Sequence, residues 1–260
     1  MKFFSRFILL FFFVIPTALG QEGMFVRHGY GWNNGGERDD AYSPLVYAGM
    51  GATHYLGLEN YRSDDKQKNV LFQFNFAGNR SDYGAHMRSF NAKIVAETFY
   101  PAMKLKEFAL RLGWTNVNFV VIRDFLSQVN FNGRTDYFTA FGPSSDLSRA
   151  FSIGRHQFKL STAWQWQLIG FRVRSGYATS LPSGFELQDV PFQQRIGETV
   201  SLFSPVNSIY TSIQPDLTYF LANNNTLSLM YDHHFTRLSA PHVSAISRGC
   251  WSINFNFKLK

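Results

Sequence analysis

"WSINFNFKLK", residues 251–260, alternates without a break. Trp251, Ile253, Phe255, Phe257 and Leu259 are apolar, and Ser252, Asn254, Asn256, Lys258 and Lys260 between them are polar. A period of two belongs to a β-strand with one oily face and one wet face. The same pattern recurs upstream. "NVLFQFNFAGN" (69–79) sets Val70, Phe72, Phe74 and Phe76 against Gln73 and Asn75. "SFNAKIVAETF" (89–99) sets Phe90, Ala92, Ile94 and Ala96 against Asn91, Lys93 and Glu97. "EFALRLGW" (107–114) sets Phe108, Leu110, Leu112 and Trp114 against Arg111. "SIYTSIQPDLTYFL" (208–221) sets Ile209, Ile213, Leu217, Tyr219 and Leu221 against Ser212, Gln214, Asp216 and Thr218. "TLSLMYDHHF" (226–235) sets Leu227, Leu229, Tyr231 and Phe235 against Ser228, Asp232 and His234.

Such strands cover a soluble core or face lipid. Three features favour lipid. The apolar face is bulky, aromatic and almost free of charge. The alternating runs reach the roughly 9–11 residues that a tilted membrane-crossing strand needs, beyond the usual 5–6. The opposite face carries Lys, Glu, Arg, Asp, Gln and Asn along most strands. Only a closed barrel lets strands cross hydrocarbon with every backbone N–H and C=O paired. The predicted fold is therefore an all-β, antiparallel, up-and-down transmembrane barrel. A soluble exported β-sandwich is the alternative.

The first twenty residues are set apart from this fold. Lys2 and Arg6 precede the apolar run "FILLFFFVI" (7–15), and Ala18-Leu19-Gly20 supplies the small residues that a signal peptidase reads. Residues 1–20 are predicted to be a signal peptide, cleaved near Gln21. Residues 21–260 form one barrel domain, with no linker dividing them. The formal charge is +7, of which Lys2 and Arg6 contribute two. The remaining charges are scattered, many of them in turns such as "RSDDKQKN" (62–69) and "GNRSDYG" (78–84). No basic stripe marks a nucleic-acid partner. A lone cysteine, Cys250, excludes an internal disulfide framework. Aromatic residues make up 17% of the chain, with 28 phenylalanines. That is high for a soluble enzyme and ordinary for a barrel with an aromatic lipid face.

Connections follow the same logic. Ala222-Asn223-Asn224-Asn225 is a short polar turn of the periplasmic kind, and asparagine tolerates the positive φ that such turns require. "LSAPHVSAIS" (238–247) and residues 179–207 read as longer outer loops. In "QFKLSTAWQWQLIGFRVRSGYAT" (157–179) the apolar phase slips after Leu168. One extra residue there is either a bulge near Gly170 or a two-residue turn at Ile169-Gly170. With the irregular stretch 118–155, this leaves eight to twelve strands, with ten favoured. Gly49, Gly51 and Gly57 are expected to relieve crowding or bend a strand.

Taken together, the leader, the alternating strands, the Asn-rich turn and the amphipathic terminal strand resemble Gram-negative outer-membrane β-barrels. The resemblance implies location in the cell outer membrane, a surround of outer-membrane lipids, and delivery by the insertion machinery that reads the last strand. Such strands usually end in an aromatic residue; here Leu259 and Lys260 follow Phe257. A monomer is expected. Eight to twelve strands enclose a narrow or side-chain-filled lumen, since open aqueous channels appear at about 16–18 strands. Structural, surface-binding or small-solute passage roles are then expected of a porin-like barrel, and a general porin is not.

The residues offer little chemistry. His242-Val243-Ser244 is similar to the His and Ser, two apart on one strand, of outer-membrane phospholipase A and lipid A deacylases. That spacing would let His242 take the Ser244 proton. Composition alone accounts for one such pair, Ala245 stands where those families carry Asn, and Pro241 suggests a loop. A membrane-embedded lipid-modifying enzyme is kept as the alternative function. His233 and His234 are adjacent on a strand, point to opposite faces and cannot share a metal. "GYGWNNGG" (29–36) and "GMGAT" (49–53) precede no helix and so do not cradle a phosphate. Asp39 and Asp40 lack the rest of a calcium loop. No catalytic, cofactor or metal residue is assigned, and no cofactor is expected.

Overall fold

A computed structural model describes residues 23–40, 43–61, 66–105, 107–126, 134–174, 200–239 and 243–259. The predicted leader and its cleavage site lie outside them. The described residues form twelve strand segments: β1 (Met24–Asp39), β2 (Ser43–Tyr61), β3 (Gln67–Arg80), β4 (His86–Leu105), β5 (Phe108–Phe125), β6 (Arg134–Ile153), β7 (His156–Gln167), β8 (Ile169–Arg174), β9 (Val200–Phe203), β10 (Ser208–Phe220), β11 (Thr226–Leu238) and β12 (Ser244–Lys258). Every pairing is antiparallel. Sequence neighbours pair in turn from β1 to β7 and from β10 to β12, β7 pairs with β10, and β12 returns to β1, so the sheet closes on itself.

The segments make ten staves. β7 and β8 both pair with β6, and between Ser144↔Gln165 and Phe141↔Ile169 their side of the ladder holds one extra residue. The Leu168 N–H still donates to the Phe141 carbonyl at 3.0 Å. The phase slip is thus a bulge within one long stave, and no turn forms at Ile169-Gly170. Phe171 faces Thr139 and Val173 faces Tyr137 across the ladder, instead of folding back on Leu168 and Trp166. β9 and β10 likewise follow one another along β8 and β7.

Three boundaries differ from expectation. The loop expected over 179–207 is interrupted, because Val200–Phe203 pairs with β8; its residues 179–199 lie outside the described residues. The connection after β11 is shorter than "LSAPHVSAIS", because Ser244 already pairs with both Leu238 and Asp39. Among the described residues, the stretch 118–155 is strand for most of its length: it holds the end of β5 and the whole of β6.

Burial is inverted relative to a soluble protein. Arg123, Arg172, Arg248 and Lys93 are among the largest fully buried side chains, while Phe171 is 58% and Ile253 56% exposed. The outward residues of β3 show the belt. Val70, Phe72, Phe74 and Phe76 lie between the exposed Lys68 and Arg80. On the neighbouring staves, Phe90, Ala92, Ile94 and Ala96 stand in line below the outward Arg88, which sits across from Asp124. A sandwich would bury the first set and expose the charges, so the soluble alternative is overturned. The terminal strand keeps its alternation, with Ser252, Asn254 and Asn256 buried inside and Trp251, Ile253 and Phe257 outside.

Backbone details follow the residue types. Asn224 has φ of 64°, and its N–H donates to the Leu221 carbonyl at 3.1 Å. The Asn-rich turn thus adopts the left-handed geometry that asparagine tolerates. At Gly51 an added Cβ would collide with the Phe76 carbonyl oxygen of the paired strand.

Candidate functional site: the barrel lumen

Inward residues meet in three layers. One lies toward the end of the barrel opposite the chain termini. There Arg123 of β5 reaches Glu37 (2.9 Å) and Asp39 (3.3 Å) of β1, and Asp136 of β6 (2.6 Å). Its remaining Nη donates to the Ser244 hydroxyl of β12 at 3.2 Å. Arg248 pairs with the other oxygen of Glu37 and donates to Asn33 Oδ1 at 2.8 Å. The two guanidiniums and Glu37 are each 1% exposed in their side chains. Arginine's planar fork suits such shared carboxylates.

The middle layer combines one ion pair with an aromatic packing. Lys93 Nζ on β4 lies 2.8 Å from Asp232 Oδ2 on β11, and both side chains are fully buried. Ser212 and Gln214 of β10 donate to the other Asp232 oxygen at 2.9 and 3.2 Å. Phe138 packs on Phe119, Phe203 and Tyr210 at centroid separations of 5.2, 5.4 and 5.6 Å. His234 stands edge-on to Phe119 at 5.8 Å. Cys250 is buried here, and Gln73 Nε2 donates toward its sulfur at 3.5 Å.

The third layer faces the end that carries both termini. Arg27 of β1 pairs with Glu59 of β2 at 2.6 Å and Asp216 of β10 at 3.3 Å. Arg111 of β5 pairs with Asp146 of β6 at 2.6 Å. Glu97 accepts from Gln165 at 2.7 Å and from Asn69 at 3.1 Å. Beyond these pairs the lumen widens into a vestibule of about 790 Å³.

The structure sorts the sequence candidates by face. Ser244 points into the lumen, 2% exposed, with its oxygen accepting from Arg123. His242 lies outside the described residues. His234 is buried inside, and His233 is outside within 3.2 Å of the Ser247 hydroxyl, so the two do separate across the strand. Asp39 joins the Arg123 layer and Asp40 pairs with Arg38 at 2.5 Å. The inward aromatic cluster escaped sequence reasoning. Around Phe119 and Phe138 the inward and outward residues are both apolar, and alternation there carries no contrast. Arg123 and Asp136, charged amid apolar neighbours, are the signal that could have located it.

No protein-family model matches the sequence, and no curated protein sequence matches it. Among solved structures, the translocator domain of autotransporter NalP from Neisseria meningitidis is similar at 6% identity, with 99% of this chain and 96% of that chain covered and a TM-score of 0.39. The transport unit of the autotransporter AIDA-I from Escherichia coli is similar at 7% identity, 94% coverage of each chain and a TM-score of 0.39. An outer membrane channel from Pseudomonas putida F1 is similar at 11% identity, with 94% and 100% coverage and a TM-score of 0.35. The closed antiparallel barrel itself rests on the strand pairing described above.

Proposed function

We propose that this chain is an integral outer-membrane β-barrel whose lumen is filled by its own side chains, with a structural or surface-binding role. The belt supports the membrane reading: it is bulky, apolar and flanked by charge, as a lipid contact requires. Outer-membrane lipids are then the surround, and the strand Trp251–Lys258 is the segment for the insertion machinery to read. The end carrying both termini and the 221–225 turn is assigned to the periplasm.

The observation that carries the closed lumen is the set of ion pairs spanning it. Arg123 ties β5 to β1 and β6, and Lys93 ties β4 to β11 across the interior. Opening a path would strip these charges of partners in a poorly hydrated space, at several kcal/mol for each. Small-solute passage is therefore a lesser reading. Catalysis by Ser244 is left out, because its hydroxyl is engaged by Arg123 away from the lipid face.

Planar-bilayer recording of the refolded protein tests this. The expected result is no sustained conductance in molar KCl. A steady unitary conductance of the wild type would overturn the closed lumen and favour a passage role.

A further inference from the structure

The vestibule at the terminal end differs from the rest of the lumen in charge balance. Deeper in, Arg123, Arg248 and Lys93 each meet a carboxylate. Arg27 and Arg111, which also line the vestibule, are matched by Glu59 with Asp216 and by Asp146. Lys104, Lys159 and Lys258 line it too. Among the described residues they enter no ion pair. The Lys159 ammonium instead sits 5.5 Å over the Tyr61 ring, a cation–π contact, and shares its wall with Glu59, Asp146 and Asp216, which are already taken by Arg27 and Arg111.

Lys104 owes its place to a bulge. On β4 the even residues face outward, from Arg88 to Tyr100. The register then shifts between Pro101 and Met103, and Lys104 pairs with Ala109. Unbroken alternation would send Lys104 outside with Tyr100. The bulge re-aims it into the cavity.

The wall between these lysines is mixed: Phe25, Tyr61, Leu110 and Phe220 line it beside Ser148, Thr218 and Asn256. Phe25 and Phe220 point inward at the mouth, and Phe25 packs edge-on to Tyr61 at 5.8 Å. Inward phenylalanines at a wet opening, beside unmatched ammonium groups, suit a ligand with an apolar body and a negative head. The volume lies within the roughly 300–1,000 Å³ of small-molecule pockets.

We propose that this vestibule binds an amphipathic anion, its carboxylate, sulfonate or phosphate head held by Lys159, Lys104 and Lys258, and its apolar body against Phe25, Tyr61 and Phe220. The site goes beyond the barrel reading and needs only an accessible mouth, so a conducting barrel would not remove it.

The test uses the full barrel in nanodiscs of zwitterionic lipid, with empty nanodiscs as blank and 2-naphthoate as probe, followed by calorimetric titration. Saturable one-site binding is expected, weakened by salt, with neutral 2-naphthalenemethanol binding about tenfold or more weakly, as the loss of a charged hydrogen bond implies. Lys159→Gln should weaken 2-naphthoate by a similar factor, Lys159→Arg should retain it, and Lys68→Gln on the outer face should leave it unchanged. Lys258→Gln at the exposed rim provides a second variant should Lys159→Gln fail to fold. Nanodiscs containing phosphatidylglycerol separate the ligand's sources. Displacement of 2-naphthoate by that lipid marks a membrane anion as occupant, and undisturbed binding marks a free solute; both keep the anionic chemistry. Equal affinity for the neutral analogue, no saturable binding, or unchanged binding in both lysine variants would overturn the proposal.

Discussion

At the scale of single residues, the lumen makes position matter more than charge. Lys93 and Asp232 have fully buried side chains 2.8 Å apart, whereas Arg38 and Asp40 pair at 2.5 Å with side chains 46% and 28% exposed. The exposed pair should contribute about 0–1 kcal/mol. The buried pair behaves differently, because removing one member leaves the other unpaired away from water. Lys93→Met is expected to cost about 3–5 kcal/mol. Lys93→Met with Asp232→Leu should recover much of that loss, since both charges are then gone. Urea titration of the proteins refolded into lipid vesicles checks it. A double variant as unstable as the sum of the two single ones would mean that the pair is not coupled.

At the scale of the strand, legibility depended on contrast between faces. β3, the first half of β4, β10, β11 and β12 alternate polar with apolar, and their orientation was plain in the residues. The second half of β5 and the start of β6 were not, because Val117, Phe119, Val121 and Phe138 are apolar and face inward. The bulge at Leu168 was visible as a phase slip, but residue type did not distinguish it from a turn. The bulge before Met103 was not visible, and with it the inward turn of Lys104 was missed. Lumen charges such as Lys93, Glu97 and Asp232 could be assigned to the polar face, yet their partners lie on distant strands and leave no local trace. The terminal strand gives the sharpest test of orientation. Phe255→Arg should destabilise the barrel by about 2–4 kcal/mol if it lies near the membrane midplane, and Phe257→Arg, nearer the chain end, should cost less, falling toward about 0–1 kcal/mol at an interface. Asn254→Arg and Asn256→Arg point into the lumen and should be limited by crowding alone. Denaturant titration in vesicles compares the four, and equal losses at Phe and Asn positions would contradict the assigned faces.

At the scale of the whole molecule, ten staves closed in a ring leave no sheet edge to fray. The protein is expected to sediment with outer membranes and to shift its gel mobility on boiling; recovery in the soluble periplasmic fraction without detergent would refute the membrane assignment. The ring is fastened at one seam. β1 and β12 pair from Phe25↔Lys258 to Asp39↔Ser244, and the Leu259 N–H donates to the Met24 carbonyl at 2.8 Å. The first residues of the sheet therefore await the last ones. Until β12 docks, β1 has no neighbour on one side, and the unfinished sheet carries two open edges that can recruit other chains. Pairing across so much intervening chain is also slow. The seam thus acts as a clasp that closes only when the last strand arrives, and a chain cut short before Ser244 is expected to remain a sticky, unfinished ribbon.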